Sequence, residues 1–166
     1  GFERMAAFYA ERAAGGVALI VTGGIGPNAE GGVGTGAAIM TTPEDAAKHH
    51  LVTDAVHAAG GKIAMQILHT GRYAYNPNAV APSALQAPIN FVKPKELDEA
   101  GIQKQISDFV RAATLAKSAG YDGVEIMGSE GYLLNQFIAL RTNHRDDTWG
   151  GSYENRIRLA VEIVRQ

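Results

Sequence analysis

The chain has 166 residues, no cysteine and a formal net charge of −2, with both signs of charge interspersed along it. That length is enough for one domain with a sizeable core, and the lack of cysteine excludes disulfides and thiolate metal sites from this segment. The near-neutral balance argues against a nucleic-acid surface, no apolar run reaches the roughly 20 residues of a membrane span, and no signal-peptide pattern is visible, so a cytoplasmic protein without membrane contact is expected.

In chain order, Phe2 to Ala14 read as a helix already under way at Gly1. Val17-Ala18-Leu19-Ile20-Val21 is a short, continuous apolar run closed by Gly23-Gly24. Thr42-Pro43-Glu44-Asp45 then starts a helix, with Thr as N-cap, Pro at the first helical position and acids in the first turn. Ala47, Leu51, Ala55 and Ala58 line one face of it and Gly60-Gly61 end it, while His49, His50 and His57, on this helix and far from the strand carboxyl ends, are assigned to the surface. Lys62 to Leu68 repeats the apolar run. Ile102, Ile106, Phe109, Val110, Ala113 and Ala116 give a clear helical stripe from Ile102 to Lys117, stopped by Gly120. Asp122 to Met127 is the third strand, and Ser152 caps a last helix reaching Arg165.

Runs this short and apolar on both faces suit parallel strands buried from both sides. The order α-β-α-β-α-β-α therefore means a parallel sheet, either open or closed into an eight-stranded barrel. Three strands cannot close such a barrel. Together with helices that begin and end at the chain termini, this predicts an α/β fold in the form of a partial TIM (β/α)8 barrel. Residues 1–166 would form one incomplete barrel domain cut from a longer chain. Two long stretches, Leu68 to Leu97 and Gly128 to Gly151, read as structureless loops after strand carboxyl ends. Loops of that length are usually functional, and in barrels those loops build the active site.

Several residues there carry candidate chemistry. Gln66 interrupts an apolar strand near its carboxyl end. Its amide offers donors and an acceptor to a heterocycle with C=O and N–H groups, or else it is a buried amide satisfied by neighbouring backbone. Gly23-Gly24 lets backbone approach a flat ligand, or forms an ordinary turn. His69-Thr70-Gly71-Arg72 has groups able to meet phosphate or a carbonyl oxygen, though His69 and Thr70 taken singly read as exposed turn residues. Gly31 to Gly36 lacks G-x-G-x-x-G spacing and reads as a flexible loop. Glu130 and Tyr132 lie two apart at a strand end, where a positioned Tyr can serve as a proton donor. Arg141, Arg145, Asp146, Asp147 and Arg156 form a charged cluster that reads as a solvated salt-bridge network. Zinc-ligand spacing, a G-x-S-x-G elbow and a P-loop are all missing.

Longer phrases carry a resemblance. Asp122-Gly123-Val124-Glu125-Ile126, Gly131-Tyr132-Leu133-Leu134-Asn135-Gln136-Phe137, Asn143, Arg145-Asp146-Asp147 and Trp149 to Arg156 resemble the signature of the old yellow enzyme family. Gln66 to Arg72, Ala81 to Asn90 and Met127 to Tyr132 are similar to its bacterial 2,4-dienoyl-CoA reductase subgroup. The resemblance spans nearly the whole chain, from about the first barrel helix to the fourth, and implies that it is the N-terminal half of an FMN-binding barrel.

It implies that Gln66 and Gly24 bind the FMN, that Tyr132 donates a proton with Glu130 beside it, and that Arg141 contacts substrate. Met127 and Glu130 stand where many family members carry a His–Asn or His–His pair for a carbonyl oxygen, a departure shared by the dienoyl-CoA subgroup. The implied reaction is NADPH-dependent reduction of a C=C bond in an acyl-CoA thioester of unsaturated fatty acid breakdown. FAD and a 4Fe–4S cluster would lie in a downstream part of the same chain, where the cysteines needed for the cluster would be found. The alternatives are another ene or enoate reductase of this lineage, or a barrel fragment that binds nothing alone.

Overall fold

Helix α1 (Phe2–Ala14) leads into strand β1 (Leu19–Val21), and each of the three main strands is followed by helices on the same side of the sheet. Helix α2 (Pro43–Ala58) connects β1 to β2 (Lys62–Ile67), and α3 (Glu99–Ser118) connects β2 to the third main strand, β5 (Gly123–Ile126). A short helix, α4 (Leu133–Ile138), and α5 (Tyr153–Arg165) follow β5. These elements come from a computed structural model that describes residues 1–166 throughout. The sheet order is β1-β2-β5, all parallel, with Ile20 beside Ile63 and Met65 beside Val124. No helix is long and apolar enough to cross a membrane.

The stretches expected to be structureless contain small elements. A 3-10 turn spans Gly71–Tyr73, strands β3 (Val80–Ala81) and β4 (Lys95–Glu96) form a two-stranded parallel ladder, and α4 lies within the second stretch. Each is too short to show a hydrophobic period in sequence.

The helix boundaries follow from capping. Thr42 is extended, its Oγ1 accepts from the Asp45 N–H at 3.2 Å, and Asp45 Oδ2 accepts from the Thr42 N–H at 3.2 Å, a reciprocal box in front of Pro43. Asp98 and Ser152 cap α3 and α5 with one bond each, accepting from the N–H groups of Gly101 and Asn155. Thr42→Ala should therefore lower the stability of the folded protein by about 1 kcal/mol. Chemical denaturation of the two proteins measures this, and an unchanged midpoint would remove the cap from the account.

The buried face of α2 is not the one the alanines mark. Ala46, His49, Val52, Thr53 and Val56 are buried, while Leu51 is half exposed. The weak amphipathicity of an alanine-rich helix leaves the inward face undetermined until tertiary contacts choose it. His49, expected at the surface, is 1% exposed, with Nδ1 hydrogen-bonded to the Tyr121 hydroxyl at 2.7 Å. Burial pushes its pKa below the usual histidine value and that of Tyr121 above the usual tyrosine value.

The strands are also not buried from both sides. Ile63, Met65 and Ile67 point into a core with Val52, Ile102, Phe109, Phe137 and Leu159. Their alternating neighbours lie on the opposite face, where Leu19 and Val21 are 59% and 43% exposed. All the helices pack on one side, so the other side is open. At the amino ends of the strands, Asp122 accepts from the Ile63 N–H at 2.9 Å and pairs with Lys62 and His57, each at 2.8 Å. Those partners hold its carboxyl well below the usual range despite the opposing effect of desolvation.

Candidate active site at the carboxyl ends of the strands

The rim begins with a break in the sheet. Val21 pairs with Ala64 and Ile25 with Ile67, so four steps along one strand face three along the other. The extra residue is a bulge at Thr22–Gly24, a device that redirects strands beside active sites. Thr22 repairs the ladder: its N–H donates to Ala64 O and its Oγ1 accepts from the Gln66 N–H, both at 3.0 Å, while Ile25 N–H takes Gln66 O at 3.0 Å.

Within the bulge the two glycines differ. A Cβ on Gly24 would sit 2.7 Å from Leu68 Cδ1, whereas one on Gly23 would meet nothing within 4 Å. Gly24 is thus small because Leu68 packs on it, and it is Gly23 that opens on free space, with its N–H donating to the Tyr9 hydroxyl at 3.1 Å. Gly24 also lines a cavity of about 510 Å³ with Phe2, Met5, Tyr9 and His49.

Gln66 projects onto the open face of β2. Its Nε2 donates to Glu125 Oε2 at 2.9 Å, across the β2–β5 pair in which the two residues are in register. The reading in which the Gln66 amide is satisfied by neighbouring backbone is therefore replaced by a side-chain pair, because β5 places a carboxylate directly beside it.

The loop after β5 contains two successive left-handed residues, Glu130 at φ 61° and Gly131 at φ 78°. Left-handed backbone at a non-glycine residue persists only where the surroundings fix it, and it clusters at functional sites. Here Asn135 Oδ1 accepts from the Gly131 N–H at 2.9 Å, and Gln136 Nε2 donates to Gly131 O at 2.7 Å. The same Gln136 amide donates to Thr70 O at 3.2 Å and accepts from the Arg72 N–H at 3.0 Å, so one buried side chain ties together the loops after β2 and β5. A side chain at position 131 would also strike Tyr73, 2.9 Å from Cε2.

The turn delivers Tyr132 to the start of α4, with its ring edge-on to Tyr73 at 6.2 Å between centroids. Tyr132, Glu130, Thr70, Tyr73, Tyr75, Val33 and Ile89 line a cavity of about 400 Å³. A phenol and a carboxylate therefore share one largely apolar cleft beyond the strand ends, an arrangement able to hold a flat or chain-like molecule and pass it a proton. Gln66 does not line this cleft. Neither does Arg141, which is exposed and follows α4 in the chain.

Three other expectations change in the structure. His69 and Thr70 are 1% exposed rather than exposed turn residues. His69 Nδ1 accepts from the Gly71 N–H at 3.0 Å, which leaves its proton on Nε2 without a partner, and Thr70 Oγ1 donates to the carbonyls of Gly31 and Gly32. The Gly31–Gly36 stretch is pinned rather than flexible: Thr70 holds one end, Gly34 bridges Tyr75, and Asn28 Oδ1 accepts from the Gly31 N–H at 2.7 Å. Asn28 in turn donates to Gln105 and Asp108 on α3, and Asp108 pairs with Lys104 and Arg111. Those cations and the Asn28 amide hold the Asp108 carboxyl below its usual range against desolvation. This network was missed in sequence, although Gln105 and Asp108 interrupt the inward stripe of α3 and are its visible trace.

Last, Arg145 is not solvated. Its side chain is 7% exposed, chelates Asp147, and donates to Pro82 O at 3.0 Å and Leu97 O at 2.5 Å, so it clamps the β3–β4 excursion onto the loop after β5.

The sequence profile of the NADH:flavin oxidoreductase / NADH oxidase family matches residues 1–166. A metal reductase of Desulforamulus reducens is 38% identical over 98% of this chain and 25% of its own length. Morphinone reductase in complex with tetrahydroNAD superposes with a TM-score of 0.89 at 33% identity, covering 99% of this chain and 50% of that one. 2-Naphthoyl-CoA reductase in complex with 2-naphthoyl-CoA superposes with a TM-score of 0.93 at 31% identity, over 98% of this chain and 27% of that one. The chain thus spans a quarter to a half of the proteins it matches, and its three parallel strands with their helices correspond to about half of a barrel.

Proposed function

Since the chain belongs to the NADH:flavin oxidoreductase / NADH oxidase family, we propose that residues 1–166 are the N-terminal half of an FMN-binding barrel whose full-length protein reduces the C=C bond of a 2,4-dienoyl-CoA thioester with electrons from NADPH. The observation that carries this reading is the Glu130–Gly131 turn, which sets Tyr132 in an apolar cleft beyond the strand ends. The residues present fit the cofactor: Gln66 offers an amide on the open face, and Gly23 leaves free space beside it at the bulge, with Gly24 next to it. Bound FMN would supply hydride.

This chain's residues do the rest. The Gln66 amide holds the polar edge of the ring system, and the bulge lets backbone lie against it. Tyr132 holds a proton on its hydroxyl until the substrate carbon becomes basic, then gives it to that carbon. Glu130 shares the cleft with that hydroxyl, and exposed Arg141 meets the acidic groups of the coenzyme. Met127 is buried and Glu130 is an acceptor, so neither position can grip a carbonyl oxygen by donating to it. That supports the dienoyl-CoA subgroup over other ene reductases, as does the likeness to an enzyme holding an acyl-CoA. FAD and a 4Fe–4S cluster would reside in the remainder of the full-length chain, in the cytoplasm.

The test is to purify the full-length protein, record its flavin absorbance, reduce it with NADPH and follow reoxidation. Fast reoxidation by a dienoyl-CoA and slow reoxidation by simple cyclic enones are expected. The reverse order would favour a general ene reductase, and the absence of flavin would defeat the reading. In the same protein, Gln66→Leu should weaken FMN binding by about 1–3 kcal/mol, because a polar edge of the ligand loses its partner. Unchanged FMN affinity in a titration would make Gln66 structural.

A further inference from the structure

Resting on the reading that FMN lies against Gln66, we propose that Glu125 is the positioning residue for that amide, fixing which way it faces and placing a negative charge beside the flavin. Gln66 and Glu125 are directly paired across parallel strands and share the open face. The backbone of Gln66 is held on both sides, by Thr22 Oγ1 at its N–H and by Ile25 at its carbonyl, so only the side chain is left to be oriented.

The two ends of a Gln amide are nearly the same in shape, and only a partner can distinguish them. Glu125 is acceptor-only when ionised, so it admits Nε2 and excludes Oε1. The 2.9 Å contact uses one Nε2 hydrogen and leaves Oε1 and the second N–H of Gln66 to serve a ligand as acceptor and donor. That pair complements a ring edge bearing an N–H next to a carbonyl. A flipped amide would set carbonyl against carboxylate and offer the ring the wrong order. Glu125 takes part in no ion pair within residues 1–166. Two-electron reduction makes a flavin ring more negative, and a nearby carboxylate disfavours that product.

The experiment compares E125Q and E125L with wild type in the full-length holoprotein, reading FMN affinity by fluorescence titration and midpoint potential by spectroelectrochemistry. E125Q keeps the shape and an acceptor oxygen, so FMN affinity should stay within about threefold of wild type. Its potential should rise, with the oxidised-to-reduced balance moving about tenfold, or about 30 mV for a two-electron couple. E125L frees the amide and should weaken FMN about tenfold or more. A potential unchanged in E125Q overturns the proposal, and that variant decides alone if E125L does not fold. Wild-type protein that holds no FMN overturns both this proposal and the reading beneath it. Wild-type protein that holds FMN, with E125Q indistinguishable from it, overturns this one alone.

Discussion

If the full-length protein is the dienoyl-CoA reductase proposed above, Tyr132→Phe is expected to split its catalytic cycle, leaving flavin reduction by NADPH near normal while reoxidation by a dienoyl-CoA slows by about 10²–10⁴-fold. Hydride addition to the far carbon of a dienoyl thioester leaves an electron-rich dienolate, which must take a proton at carbon. A phenol stays protonated near neutral pH and yet is acidic enough for so basic a centre. Phe keeps the edge-on packing against Tyr73 and the start of α4, so the loop should not move. Reduction by NADPH involves no substrate proton and is blind to the change. Stopped-flow measurement of each half-reaction separates them: equal slowing of both means a structural Tyr, and normal rates in both remove Tyr132 from the chemistry.

The second large effect concerns acid. Burial pushes the His69 pKa down to about 4, outweighing the carboxylates of Glu30 and Asp108, which favour the charged form, while Lys104 opposes it. The unfolded chain takes up that proton near the ordinary histidine value and the folded chain does not. Between about pH 6.5 and 4 the unfolded state therefore binds more protons, and stability falls with pH across that window by about 3 kcal/mol. His49 is shifted in the same direction by burial and adds to the loss. The carboxylates of Asp45, Asp108, Asp122 and Asp147 are held below their usual range, so their contribution is lost only at lower pH. Urea unfolding at pH 7 and pH 4.5 should show the drop, and His69→Asn should flatten it whatever its stability at pH 7. Parallel losses in both proteins would mean that His69 is not the group responsible.

What could be read from the sequence follows from how local each signal is. Thr42-Pro43, Gly120 and Ser152 announced element ends, because a cap or a turn depends on a few adjacent residues. The three strands were found from apolar runs bounded by glycine. The face of α2 was misread because alanines are indifferent to burial, and His49 was misplaced because distance from the strand carboxyl ends says nothing about burial. The exposure of Leu19 and Val21 on the inner face of the sheet agrees with the expectation that three strands cannot close a barrel. At the candidate site, Gln66 and Tyr132 stood out as polar or phenolic groups at strand ends. The Glu125 partner of Gln66 depends on strand register, and the Gln136 bridge joins residues 66 positions apart, so neither had a local trace.

Gln136 has one more consequence. Its amide, with those of Asn28 and Asn76 and the hydroxyl of Thr70, joins backbone groups of three separate excursions: Gly31–Gly32, Thr70–Arg72 and Gly131. Peptide groups so connected cannot open one at a time, since releasing any of them strands the others without partners. The N–H groups of Gly31, Arg72 and Gly131 should accordingly exchange with deuterated solvent at a common rate, as one cooperative unit, slower than their position in long connections implies. Ligand selectivity at this rim would then change in steps, when the whole unit shifts, rather than by gradual adjustment of a single loop.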